Sequence, residues 1–168
     1  MANAALDTQA PQLKVHTGIS GNDRLDIAKR LGVILADSYQ LFIKTQGVHW
    51  NVAGPMFYSI HNLTEAHYNN LFTAVDELAE RIRALGSKAP ASYTKYGELS
   101  AIEDHDEPAT AAEMVEMLAK DHETVCRSLR VAIEFVEGKA DYVTADMMTE
   151  RLAWHEDAIW MLRASLAE

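Results

Sequence analysis

The chain has 168 residues, 48% of them hydrophobic, enough for one compact domain that buries roughly 70% of the surface its unfolded form exposes. Lys and Arg number 15 against 25 Asp and Glu, a formal charge of −10, which argues against a default binder of nucleic acid or anionic membrane and leaves acidic faces for cations. A single cysteine, Cys126, excludes a disulfide framework and a cysteine-based zinc site and fits a reducing compartment.

In chain order, residues 1–20 are polar and without periodicity. They read as a mobile tail, with the folded domain expected from 21 to 168. Residues 1–7 lack a basic region followed by an apolar stretch, so no signal peptide is visible. Apolar runs such as 33–36 fall far short of the ~20 residues a membrane-spanning helix needs. The expected location is cytoplasmic, with nucleoid association left open.

Four long segments carry apolar residues at helical spacing. The first runs from about Asn22 or Asp23 to about Trp50, with Ile27, Leu31, Ile34, Leu35, Leu41 and Phe42 inside. The second begins after Gly54-Pro55, proline suiting a first helical turn, and stops before Gly86. The segment 87–107 is long for a helix connection. Its Tyr93, Tyr96, Leu99 and Ile102 predict a short helix pinned to the body. The third long helix opens with Thr110-Ala111-Ala112-Glu113, a capping box, and ends near Gly138. The fourth runs from about Asp141 to Leu166, carrying Leu152, Ile159, Leu162 and Leu166. The expected fold class is all-α: a four-helix bundle with a short extra helix in the long crossover between helices two and three.

The second long helix holds polar residues where a bundle helix should bury apolar ones. His61, Glu65, Asp76 and Glu80 fall at about 0°, 40°, 60° and 100° around the axis, so they share one sector, the side of Tyr68 and Phe72. Carboxylate oxygens with an imidazole suit a hard or borderline divalent metal, although a solvated face also collects acids. His49 adds weight. The short link 51–54 makes the first two helices antiparallel neighbours, so His49 and His61 meet at one end of the hairpin. His61 and Asp76 are 15 residues apart in sequence, about 22 Å along a helix, too far for one ion. The simplest closure is a two-fold contact in which His49 and His61 of one chain meet Asp76 and Glu80 of another, giving two sites per dimer.

At these residues the chain resembles a known family. The run from Gly47 through His49, Trp50 and Asn51 to Phe57, then His61, then Asp76-Glu77-Leu78-Ala79-Glu80-Arg81-Ile82, is similar to the Dps family of mini-ferritins (DNA-binding proteins from starved cells). The likeness spans about residues 22–166. It implies a ferritin-like fold and iron as the metal, with His49, His61, Asp76 and Glu80 as ferroxidase ligands. Glu65 matches a position where an acid completes or assists the second iron position. The chain has no Glu-x-x-His pair, which classical ferritins use for an intrasubunit di-iron centre, and no His-Glu-x-x-His motif.

Trp50 has two readings: an aromatic core anchor, or, by the resemblance, a neighbour of the iron site that absorbs oxidising equivalents. Trp160 reads as packing, Cys126 as a small core residue, and His155-Glu156-Asp157 as a solvated or interface face. Asp141, Asp146 and Glu150 open the fourth helix, where acids complement the macrodipole. The resemblance gives them a further role, as the acidic lining of a threefold pore through which Fe²⁺ enters. Asn62 and Ala66 flank Glu65, a departure from the acid-rich family pattern that leaves the mineral-nucleating residues open. Residues 1–20 offer only Lys14 as fixed positive charge, opposed by Asp7. DNA binding is therefore expected to be weak, with Arg24, Lys29 and Arg30 as an outside patch.

The reading implied is a ferroxidase and iron store: a homododecamer built from two-fold dimers, oxidising Fe²⁺ to Fe³⁺ with hydrogen peroxide preferred over oxygen. The rival is a non-catalytic DNA-binding cage that compacts the nucleoid, indifferent to loss of His49 and His61.

Overall fold

A computed structural model describes residues 14–104 and 110–167. Residues 1–13 of the expected tail, and 105–107 of the expected crossover, lie outside that description. Every regular element among the described residues is helical: α1 (Gly21–Asn51), α2 (Phe57–Ala84), α3 (Tyr93–Leu99), α4 (Ala111–Glu137) and α5 (Tyr142–Ala164). None is long and apolar enough to cross a membrane.

The ends follow from local chemistry. Ser20 caps α1, its hydroxyl accepting from the Asp23 amide at 3.1 Å, and Ile19 packs against the core. The bundle therefore begins inside the stretch expected to be tail. Gly54 takes φ +90, a left-handed value natural to glycine, and the turn it makes delays α2 to Phe57, two residues past Pro55. Thr110 and Glu113 form the capping box, each side chain bonded to the other's backbone amide.

Helix α1 pairs most extensively with α2, and α4 with α5, while α1 also packs on α4 and α3. Their shared core is Ile27, Leu31 and Leu35 from α1, Ile60, Leu71, Leu78 and Ile82 from α2, Leu118 and Leu129 from α4, and Met148 and Leu162 from α5, all essentially fully buried. Helices α2 and α5 touch only thinly. Larger and more polar side chains fill the space between them.

The expected short helix is α3. Tyr96 stacks on Tyr39 with ring centroids 4.5 Å apart. The buried Asp37 carboxylate accepts from the Ser100 hydroxyl at 2.8 Å and the Ala101 amide at 2.6 Å. Those bonds fasten the crossover to α1.

Two side chains differ from expectation, and a third is decided between its two readings. Trp160 is 69% exposed, because the packing face of α5 runs through Met148, His155, Ala158 and Leu162. His155, expected on a solvated or interface face, is fully buried inside the protomer. Trp50 is 68% exposed and anchors no core in the protomer. Cys126 is buried as expected, and burial pushes its thiol up to about 11, so it stays protonated and unreactive.

Candidate metal centre

The hairpin brings His49, in the last turn of α1, against His61, in the second turn of α2. The rings stack with centroids 3.8 Å apart and planes within 17°. His49 Nδ1 lies 2.9 Å from the His61 carbonyl oxygen, and His61 Nδ1 lies 2.9 Å from the His49 carbonyl oxygen. A carbonyl only accepts, so both Nδ1 atoms must carry the proton. In each neutral ring the lone pair then sits on Nε2, and neither Nε2 is sealed in the core. Two imidazoles are thus fixed in tautomer and orientation with their ligating nitrogens free, the arrangement that backbone carbonyls impose on metal-binding histidines.

Two aromatic rings steady the pair. Tyr68 meets His49 edge-on at 5.1 Å, and Phe57 stacks on His61 at 5.1 Å. Helical periodicity placed Tyr68 on this face, whereas Phe57, at the start of α2, had no periodic signal of its own.

Glu65 is exposed one turn beyond His61. Asp76 and Glu80 are exposed farther along α2, on the side away from Ile60, Leu71, Leu78 and Ile82. The helix rise sets them about 22 Å and more from His61. Among the described residues, no group of three or more His, Cys, Asp or Glu converges on a metal position within the chain. The protomer therefore presents imidazoles at one end of an open face and acids at the other. Between them stands Phe72, 66% exposed, an apolar surface of the sort that a partner covers.

The pore triad divides. Asp141 is 2% exposed. It caps α5 by accepting from the Thr144 amide at 3.2 Å and hydroxyl at 2.6 Å, and it accepts from Arg81 Nη2 at 2.6 Å. Burial pushes its carboxyl up, but the hydrogen bonds from Thr144 and Arg81 outweigh that and hold it below the usual range. Within the protomer Asp141 is a structural cap joined to α2. Asp146 and Glu150 are exposed on α5.

Apolar periodicity missed a second polar cluster, inside the bundle. His67 of α2, His122 of α4 and His155 of α5 are buried together, with Trp154 and Arg151 beside them. A signal was present. His122 follows Leu118 by four residues and precedes Val125 and Leu129 by three and seven, which are core positions of a bundle helix.

Known proteins share this architecture. A ferritin-like domain model matches residues 28–168. The chain is 37% identical over 154 residues to an uncharacterized low temperature-induced protein of Nostoc sp., covering 90% of this chain and 86% of that one. It is also 37% identical over 132 residues to DNA protection during starvation protein 2 of Bacillus anthracis, covering 79% and 90%. The crystal structure of Dps from Vibrio cholerae O1, described as a member of a broad superfamily of ferritin-like diiron-carboxylate proteins, superposes with a TM-score of 0.87 at 26% identity, over 92% of this chain and 97% of that one. Dps from Staphylococcus aureus superposes with a TM-score of 0.82 at 32% identity, over 85% and 96%.

Proposed function

The chain belongs to the Dps family of ferritin-like proteins, and from that premise we propose that it is a ferroxidase and iron store whose oxidation site forms between two subunits. The observation that carries the reading is the reciprocal bonding of His49 and His61, which offers two imidazole Nε2 atoms to a metal that Asp76 and Glu80 of the same chain lie too far along α2 to share.

Iron is the substrate here. His49 and His61 of one protomer, with Asp76 and Glu80 of the partner subunit, supply two neutral nitrogens and two carboxylates. That mixed set holds Fe²⁺ and gains strength for Fe³⁺, because the carboxylate charge favours the more highly charged ion. Glu65, exposed one turn from His61, would assist a second iron. Two ferrous ions held together give peroxide its two electrons at once, and with two protons the products are two ferric ions and two waters. One-electron reduction would release hydroxyl radical instead. Trp50, adjacent to His49 and facing outward, is available to absorb stray oxidising equivalents. Asp146 and Glu150 are exposed carboxylates suited to drawing Fe²⁺ toward a shell entrance.

On this reading the storing form is a homododecamer of two-fold dimers. The Bacillus anthracis relative carries DNA protection in its name. For this chain that protection comes from removing Fe²⁺ and peroxide rather than from coating DNA, because a charge of −10 opposes phosphate binding.

The test is anaerobic loading with Fe²⁺ followed by peroxide, comparing the parent with His49→Ala/His61→Ala. Oxidation should fall by about 100-fold or more, because losing only the partners of metal ligands already costs roughly 10–100-fold. Oxidation at the parent rate, with DNA retained on the variant, would favour the architectural cage instead.

A further inference from the structure

His122 and His155 face each other across α4 and α5 with Nδ1 to Nδ1 at 2.9 Å, and both are 0% exposed. Such a contact needs one proton between two nitrogens: one ring donates from Nδ1, and the other accepts at Nδ1 and carries its own proton on Nε2. Neither Nε2 has a hydrogen-bond partner among the described residues. This is no metal site, since the cluster does not converge on an ion position and the Arg151 guanidinium lies alongside, 4.4 Å above the Trp154 ring.

We propose that the His122–His155 contact is an acid-sensitive latch, closed while both rings are neutral and opened when the pair takes up protons. A first proton puts a cation into a dry core beside Arg151. A second removes the only acceptor and sets two N–H groups against each other at hydrogen-bond distance. The surroundings offer no relief. From α2 the facing groups are His67 and Asn70, the latter accepting from Arg151 Nη1 at 2.6 Å. From α5 they are Arg151 and, acting on it at longer range together with Glu77 of α2, Glu150. On α1 stands Lys44, paired at 2.6 Å with Asp121, the residue before His122. Burial first, then His67 and Arg151, holds His122 well below the ordinary imidazole range. Burial, then His122, Arg151 and His67, does the same for His155.

The sign follows. Above pH ~6.5 both the folded and unfolded chains carry neutral rings and the latch costs nothing. Below it the unfolded chain binds protons that the folded one refuses, so stability falls as pH falls. Each ring that must stay neutral shifts the folding equilibrium about tenfold per pH unit, and the pair about 100-fold.

The test is acid titration of the purified, assembled protein between pH 7.5 and 4, followed by far-ultraviolet circular dichroism, with His122→Leu/His155→Leu beside the parent. The parent should lose helix more steeply and at higher pH, by up to two protons. Equal steepness and midpoint would overturn the latch. Should the double variant fail to fold, hydrogen–deuterium exchange at the imidazole C2 positions of the parent reads each ring directly. Both rings should stay neutral until helix is lost. Titration of either near pH 6.5 in fully helical protein would overturn the proposal.

Discussion

Two histidine pairs sit in one bundle, and their difference lies in what each Nδ1 touches. At the mouth of the α1–α2 hairpin, His49 and His61 give both Nδ1 protons to backbone carbonyls. Both rings are satisfied before any ligand arrives, and both Nε2 atoms are free. Between α4 and α5, His122 and His155 share a single contact, Nδ1 to Nδ1, with both Nε2 atoms sealed in without partners. The same side chain is thus a prepared ligand in one place and a proton-sensitive core residue in the other. Backbone partners and access to solvent decide which. Residue identity alone does not.

That contrast predicts a double dissociation. Removing the mouth pair in His49→Ala/His61→Ala should cut peroxide-driven iron oxidation by about 100-fold or more while leaving the urea midpoint close to the parent's. Cutting into the core pair should do the reverse. His155→Ala empties a fully buried position and should cost about 2–4 kcal/mol in urea unfolding, with iron oxidation per folded subunit little changed. If His155→Ala abolished oxidation in folded protein, the two pairs would not be separate devices.

Smaller effects sharpen the same division between structural and functional polar groups. Asp141→Ala removes the cap of α5 and strands Arg81, so it should cost about 2 kcal/mol of stability. Iron uptake by the folded variant should stay at the parent rate. Asp146→Asn/Glu150→Gln should behave oppositely, slowing uptake a few-fold at low salt, an effect that fades as screening shortens toward ~3 Å near 1 M salt. Stopped-flow uptake kinetics at two ionic strengths read both.

Much of the scaffold was legible in the chain because bundle helices announce themselves through apolar period and caps. Thr110 with Glu113, and Gly138 at the far end of the same helix, gave α4 almost to the residue. His49 and His61 were legible because a four-residue link forces the hairpin to bring them together. The reciprocal carbonyl bonds were not, since they depend on ring orientation. His122 and His155 escaped because a period counted in apolar residues passes over a histidine at a core position. The bond from Arg81 to Asp141 was not legible, because the two lie 60 residues apart, beyond any local pattern. The exposure of Trp160 was equally hidden, because α5 has almost no net apolar side to mark which face turns inward.

The shared site between subunits is tested most directly by complementation. Subunits lacking His49 and His61 are co-assembled in equal amounts with subunits lacking Asp76 and Glu80, and peroxide-driven iron oxidation is measured against each parent variant alone. In a two-fold dimer of one of each, one site regains all four of these ligands and the other keeps none of the four, so random pairing should restore about a quarter of the unmutated rate. A mixture no more active than its two components would contradict an oxidation site built across the dimer.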